Sequence, residues 1–160
     1  MSLIAGTVSS TELKKSYTDK ELVDILHAAG YRAVEIDKDR VIRLKIDGLT
    51  YVLYVYEDDD LQLYFGLSGY RLTNAAINEW NRTKRLSRAY LDHENDPVIE
   101  ADLLANAGFS ESQFLEWLAV FDSVARSFRR FVEEKDLGSD ETESDPSFDG
   151  IRARLILQQK

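Results

Sequence analysis

The chain has 160 residues, with 20 Lys+Arg against 29 Asp+Glu, two His and no Cys, for a formal net charge of −9. Hydrophobic residues make up 44% and aromatics 11%, which suits one globular domain with a real core and is too apolar for a wholly disordered chain. The lack of Cys excludes disulfides, thiolate metal sites and Cys nucleophiles, and a net acidic chain disfavours duplex nucleic acid as a partner, because phosphate neutralisation needs a basic surface.

The charge is uneven. Residues 133–149 carry a net −7, residues 1–132 a net −5, and the last eleven residues +3. No apolar run approaches the roughly 18 residues that span a bilayer. Met1–Gly6 has no basic n-region and too short an apolar stretch for a signal peptide. The expectation is a cytoplasmic protein with no membrane partner. The glycosylation triplet Asn81-Arg82-Thr83 is then a chance match.

Residues 1–16 are polar and weakly patterned, and read as a flexible N-terminal segment. Thr18-Asp19-Lys20-Glu21 is a capping box. Leu22, Val23, Ile25, Leu26 and Ala29 follow at helical spacing, and Gly30 supplies a stop, which predicts a helix over 18–29. Tyr31–Asp37 and Val41–Asp47 read as strands around a Lys38-Asp39-Arg40 turn, the second half-buried with Ile42, Leu44 and Ile46 alternating. Leu49–Glu57 is apolar or aromatic on both faces and reads as a central strand covered on both sides. Asp58-Asp59-Asp60 turns into Leu61–Gly66, completing an antiparallel meander.

Thr73 caps a second helix, roughly 74–84, with Ala76, Ile77 and Trp80 as its apolar face. Leu86–Asp92 alternates as a strand, with Leu86, Arg88 and Tyr90 on one side. His93–Asp96 turns into a strand over Pro97–Leu104, where Pro at a strand start is tolerated. Ser110 and Gln113 form a second capping box for a long helix to about Glu133. Phe114, Trp117, Leu118, Phe121, Val124, Ala125, Phe128 and Val132 make its stripe, with Leu115, Val120 and Phe131 beside or outside it. Residues 17–133 thus form one α+β domain, an antiparallel sheet with helices packed against it, in the order α-β-β-β-β-α-β-β-α. Residues 134–149 read as an acidic linker. Residues 150–160 are a C-terminal segment in which Ile151, Ala153, Leu155 and Leu157 alternate, a strand or a docking segment.

Candidate chemistry is sparse. His27 lies on or beside the first helix's polar side and His93 in a turn, and neither has the partner spacing of a metal pair. Asp58–Asp60 and Asp92–Asp96 offer oxygen ligands but lack EF-hand spacing, and turns favour Asp and Asn anyway. Gly66-Leu67-Ser68-Gly69 follows a strand but lacks the Lys-Ser/Thr of a phosphate loop. Arg82, Lys84, Arg85 and Arg88 near Trp80 and Tyr90 could pair stacking with phosphate binding, or could simply balance acids and the helix C-terminus. Arg126, Arg129 and Arg130 on the long helix admit the same two readings. That helix carries apolar residues outside its main stripe, which implies a second covered face. Either the Ile151–Leu157 segment or another chain would cover it.

Glu79-Trp80-Asn81, Arg85 and Ser87-Arg88-Ala89-Tyr90-Leu91-Asp92 resemble the Trp-Asn…Arg…Ala-Tyr-Leu core of the YbjN family. Asp96–Leu103, Gly108-Phe109-Ser110, the long Phe114–Phe131 helix and the opening helix with Gly30-Tyr31 fit the same pattern, over roughly residues 18–132. The resemblance implies a bacterial sensory-transduction regulator with links to stress tolerance and motility, and a fold similar to type III secretion chaperones, often dimeric and protein-binding. It carries over no catalytic residue. Physically, Trp80 can plug the helix onto the sheet, Asn81 can cap backbone groups, Arg85 ends the helix and Tyr90 packs on the next strand.

The first functional expectation is a non-catalytic, protein-binding regulator or chaperone-like module, homodimeric, without cofactor or metal. Its interface would use Trp117, Val120, Val124 and Phe131, through strand addition or helix packing. The alternative is a small-molecule or nucleotide sensor using Arg82, Arg85 and Arg88 with Trp80. A third reading, an enzyme with Glu100 and Asp102 as paired acids, rests on two carboxylates sharing a strand face.

Overall fold

The structure is a computed structural model and describes residues 12–138. The first helix, α1 (Asp19–Ala28), starts where the capping box predicts. The Thr18 hydroxyl accepts from the Glu21 amide at 3.2 Å, and the Glu21 carboxylate accepts from the Thr18 amide at 2.9 Å. Gly30 ends it at φ +97°, with the Gly30 amide donating to His27 and the Tyr31 amide to Leu26, both at 3.0 Å. A left-handed residue at this position favours glycine. Leu22 and Leu26 are buried. Ala29, expected on the apolar stripe, lies past the helix end and is exposed.

Strands β1 (Ala33–Lys38), β2 (Val41–Ile46), β3 (Leu49–Val55) and β4 (Leu61–Gly66) form the expected meander. Helix α2 (Asn74–Thr83) follows, with the Thr73 hydroxyl accepting from the Ala76 amide. Strands β5 (Arg88–Leu91) and β6 (Pro97–Leu103) and helix α3 (Glu111–Lys135) complete the order. The six strands make one antiparallel sheet, β1-β2-β3-β4-β6-β5. The fold is α+β, as the patterning predicts. The β5–β6 hairpin docks by β6 against β4, so β1 and β5 are the sheet edges.

Register places Glu35, Arg43, Val52, Tyr64, Glu100 and Arg88 in one row across all six strands. Because side chains alternate between faces, this row belongs to one side of the sheet. The main core lies on the other side. There Leu22 and Leu26, Ala76, Ile77 and Trp80, and six buried residues of α3 pack with Ile42, Tyr51, Leu63, Phe65 and Ile99. All three helices contribute to that cluster. A second cluster, Val41, Val52, Tyr64 and Val98, with Tyr54 and Tyr90 packed against it, lies on the row side. No described helix contributes to it. Strand β4 is nevertheless buried at every position from Leu61 to Phe65, and β3 is buried on both faces, as its unalternating sequence predicts.

Three local features differ from the sequence reading. Residue Leu86 is not in a strand: it adopts φ +67° and is 62% exposed. The chain turns there so that Ser87 meets Trp80 and Ala89 meets Asn81, and the strand begins at Arg88. Helix α3 runs two residues past Glu133. Residues 12–16, read as flexible, include a bridge in which Lys14 and Phe109 exchange both backbone hydrogen bonds at 3.1 Å. Gly108, at φ +80°, leaves room for it: a Cβ there would stand 3.3 Å from Leu13 and 3.4 Å from the Lys14 backbone. Most of the acidic linker and the whole of residues 150–160 lie outside the described residues.

Candidate functional site: the Trp-Asn segment and the third helix

Trp80 is 1% exposed. Its ring stands edge-on to Phe128 at 4.9 Å and tilted to Phe131 at 5.4 Å, so it plugs α2 onto α3. An indole N–H buried this way needs an acceptor, and the Ser87 hydroxyl supplies one at 3.2 Å. The next residue, Asn81, serves the sheet edge. Its Nδ2 donates to the Ala89 carbonyl at 2.9 Å and its Oδ1 accepts from the Ala89 amide at 2.8 Å. An edge strand exposes such groups to further pairing; here one side-chain amide stands in for a neighbouring strand.

Arg82 and Arg85 are exposed at the C-terminal end of α2 and just beyond it, and neither forms an ion pair with a described residue. Arg88 instead turns to the sheet face opposite the helices. It pairs with Glu100, its cross-strand neighbour, and the Tyr90 hydroxyl donates to the other oxygen of the same carboxylate. Glu100 is 5% exposed, and its charge is answered by this cation and this donor. The carboxylate raises the Arg88 pKa through the hydrogen bond and its charge. The Trp80 ring is thus buried among the helices while Arg88 is across the sheet, and the structure does not bring the two together as one stacking-and-phosphate site.

Glu100 and Asp102 do share a face. Asp102 accepts from Gln62 Nε2 at 2.8 Å, and Gln62 Oε1 accepts from the Tyr56 hydroxyl at 2.9 Å. Burial, then the nearby carboxylates of Glu100 and Asp102, raise the Tyr56 pKa. Each acid has its own donors.

On α3 the structure separates two ridges. Phe114, Leu118, Phe121, Ala125, Phe128 and Val132 face the core. Trp117, Val120, Val124 and Phe131 stand beside it, at spacings of three, four and seven residues, the seam of a helix-to-helix contact. Trp117, Val124 and Phe131 are half-buried, and Val120 is 36% exposed. The Phe131 end is partly filled by Trp80 and by Lys135, whose ammonium lies 5.7 Å from the ring centroid. Arg126 joins Asp122 at 2.9 Å and Asp47 at 3.0 Å, and the buried Tyr51 hydroxyl donates to Asp122 at 2.6 Å. That network ties α3 to the β2–β3 turn. Arg129 pairs with Glu133 along the helix.

The remaining candidates act locally. His27 is exposed, and His93 sits in the β5–β6 turn, 3.7 Å from Glu94. The Asp60 carboxylate accepts from the Ala105 amide, and that of Asp92 accepts from the Glu94 and Asp96 amides. The Leu67 amide donates to Pro97 as β4 ends. Among the described residues no three His, Asp or Glu side chains are grouped to hold a metal ion, and no helix is long and apolar enough to cross a membrane.

The sequence motif missed the partnerships of Arg88 and Tyr90 with Glu100, of Trp80 with Ser87, and of Tyr51 with Asp122. The first was countable, because a turn centred on Glu94 sets Arg88 opposite Glu100. The other two depend on tertiary packing and leave no spacing signal.

These features define an antiparallel α+β domain in which Trp80, Asn81 and Tyr90 of the characteristic segment hold the sheet edge and helices together, while Arg85 stands exposed just beyond the end of α2. The sequence pattern of the YbjN family, described as "Putative bacterial sensory transduction regulator", matches residues 18–134, and the chain belongs to that family. No curated protein matches it.

Proposed function

We propose that the chain is a non-catalytic, protein-binding regulator of the bacterial cytoplasm that works as a homodimer, with the outer ridge of α3 as its interface. One observation carries this reading: Asn81, Arg88 and Tyr90 are engaged within the domain, while α3 presents Trp117, Val120 and Val124 at helix-packing spacing. Two such ridges, related by a twofold axis, would cover each other's apolar surface. The family description supports a regulator, and a regulator of this kind would read its partner through contacts rather than turnover.

Sedimentation of the full chain over a range of concentrations tests it. The expected result is a reversible dimer that Val120→Asp converts to monomer without loss of the helical circular dichroism signal. A folded wild-type chain that stays monomeric at every concentration, or a dimer indifferent to Val120→Asp, would overturn the assignment of this ridge.

A further inference from the structure

We propose that two copies of the chain pair their α3 helices antiparallel, with Glu116 of each copy facing Arg130 of the partner subunit. The inference deepens the homodimer reading above and rests on it. A twofold axis permits two arrangements of a helix pair. Running along the helices, it makes them parallel and sets every ridge residue against its own copy. Running across them, it makes them antiparallel and sets the N-terminal half of one ridge against the C-terminal half of the other. The charges beside the ridge decide between the two. The middle of the ridge is open to such a contact, since Ala119, Val120 and Ser123 are exposed.

Glu116 and Arg130 flank the ridge on the same side. Each directly precedes a ridge residue, Trp117 and Phe131, and both are exposed. Neither forms an ion pair with a described residue, whereas Arg126 is held by Asp122 and Asp47, and Arg129 by Glu133. The Arg130 guanidinium is turned towards the ridge, where its Nη2 donates to the Ser127 hydroxyl at 3.2 Å. Ser127 continues the ridge between Val124 and Phe131 at the same alternating spacing of three and four residues.

Parallel helices would set Glu116 against Glu116 and Arg130 against Arg130, like charges at both ends. Antiparallel helices join opposite charges at both ends. Placing Val120 against Val124 of the partner subunit fixes the register. Trp117 then meets Ser127 of the partner subunit, the largest ridge residue against the smallest, which is how facing layers interdigitate. In the same register Glu116 and Arg130 of the partner subunit differ by two residues along the axis, about 3 Å. Helical side chains lean towards their own N-terminus, so across antiparallel helices these two lean towards each other. One sequence supplies both halves of the contact, as an isologous interface requires, which favours a second copy over an unrelated chain.

The test reverses each charge separately in the full chain. Glu116→Arg alone confronts two cations at each end of the dimer, and Arg130→Glu alone confronts two anions. Sedimentation should show each variant self-associating roughly tenfold more weakly than wild type. An equimolar mixture of the two should form one-to-one heterodimers, seen by native mass spectrometry, with wild-type affinity, because each end again joins opposite charges. The double variant Glu116→Arg, Arg130→Glu should recover the homodimer for the same reason. Single variants as tight as wild type, or a double variant no tighter than the singles, overturn the antiparallel pairing. If Val120→Asp still dissociates the wild-type dimer in that case, the ridge interface stands and only its orientation is wrong. A mixture tighter than wild type, with unweakened singles, overturns the pairing in favour of parallel helices. A wild-type chain that is monomeric at every concentration overturns this pairing together with the homodimer reading.

Discussion

The side-chain amide of Asn81 occupies both outward backbone groups of Ala89, donating at 2.9 Å and accepting at 2.8 Å. This pair closes the β5 edge, while β1, at the other end of the sheet, carries no such clamp from α2. Replacing Asn81 by Asp keeps the acceptor and removes the donor; replacing it by Leu removes both. Leaving a polar group without its partner costs roughly 1–3 kcal/mol. We expect Asn81→Leu to lose about that much in urea unfolding and Asn81→Asp to lose less. Amide exchange at Ala89 should accelerate in the Leu variant and stay slow in the Asp variant. An Ala89 amide equally protected in all three proteins would show that the clamp is dispensable.

Glu100 is a buried charge whose stability rests on Arg88 and Tyr90. Removing one partner of a fully buried pair costs about 3–5 kcal/mol. The Arg88 side chain is 67% exposed, so water replaces part of what it gives, and Arg88→Ala should cost less than that range. The double variant Arg88→Ala, Glu100→Gln should recover much of the loss, since the neutral amide needs no cation. Chemical denaturation of the two singles and the double gives the coupling. Additive losses would mean that the pair contributes nothing as a pair.

Trp80 and Trp117 differ in environment, and the chain has two Trp. Trp80 is sealed among Phe128 and Phe131, while Trp117 is half-buried on the outer ridge. Trp80→Phe should therefore leave a single emitter that acrylamide reaches in the monomer. If α3 mediates the dimer, quenching of that emitter should decrease as concentration rises. The substitution also strips the Ser87 hydrogen bond, and stability should fall by about 1–3 kcal/mol. Concentration-independent quenching would separate Trp117 from the interface.

Much of the scaffold was legible because local physics and tertiary packing agree. Capping boxes at Thr18 and Ser110 mark helix starts, and the unalternating Leu49–Val55 run marks a strand buried on both faces. The sequence also pointed to Asn81 as a backbone cap, since an amide is the side chain that can donate and accept at once. Leu86 was misread because its alternation with Arg88 and Tyr90 looks like a strand, whereas the chain makes a left-handed turn there, next to the Trp80–Ser87 contact. Periodicity carries no information about a hydrogen bond between a helix side chain and the turn that follows it. For the same reason Arg88 could be placed beside Trp80 in sequence while the alternation of β5 sends it to the opposite face, against Glu100.

Tyr51 sets an alkaline limit. It is fully buried, and its pKa is raised by that burial first and then by its hydrogen bond to Asp122. An unfolded tyrosine loses its proton near pH ~10, while the folded one holds it. Stability is therefore unaffected below that pH and falls as pH rises above it, because only the unfolded chain gains by ionising. Ultraviolet titration should show this tyrosine ionising together with unfolding. Tyr51→Phe should reduce the alkaline slope, to which the other tyrosines with a raised pKa, Tyr17, Tyr31 and Tyr56, also contribute, at a cost near neutral pH of about 1 kcal/mol. A wild-type chain with the same slope as the variant above pH ~10 would remove Tyr51 from this role.

Glu21 sets the opposite, acid-side dependence. Its hydrogen bonds, from Lys14 first and then from the Thr18 backbone and hydroxyl, hold its pKa down to about 2. A depressed carboxylate contributes stability above its unfolded pKa of about 4.3, and that contribution is lost as pH falls towards the folded value. The side chain and Lys14 are each 45% exposed, so solvent screens the pair and the effect stays within about 1 kcal/mol. Glu21→Gln keeps an oxygen to accept from Thr18 but removes the charge. It should be slightly less stable than wild type at neutral pH, with the gap closing as pH is lowered through the acid range. Thermal melts of both proteins across that range decide the matter, and a gap that persists undiminished at the acid end would assign the difference to packing rather than to the carboxylate charge.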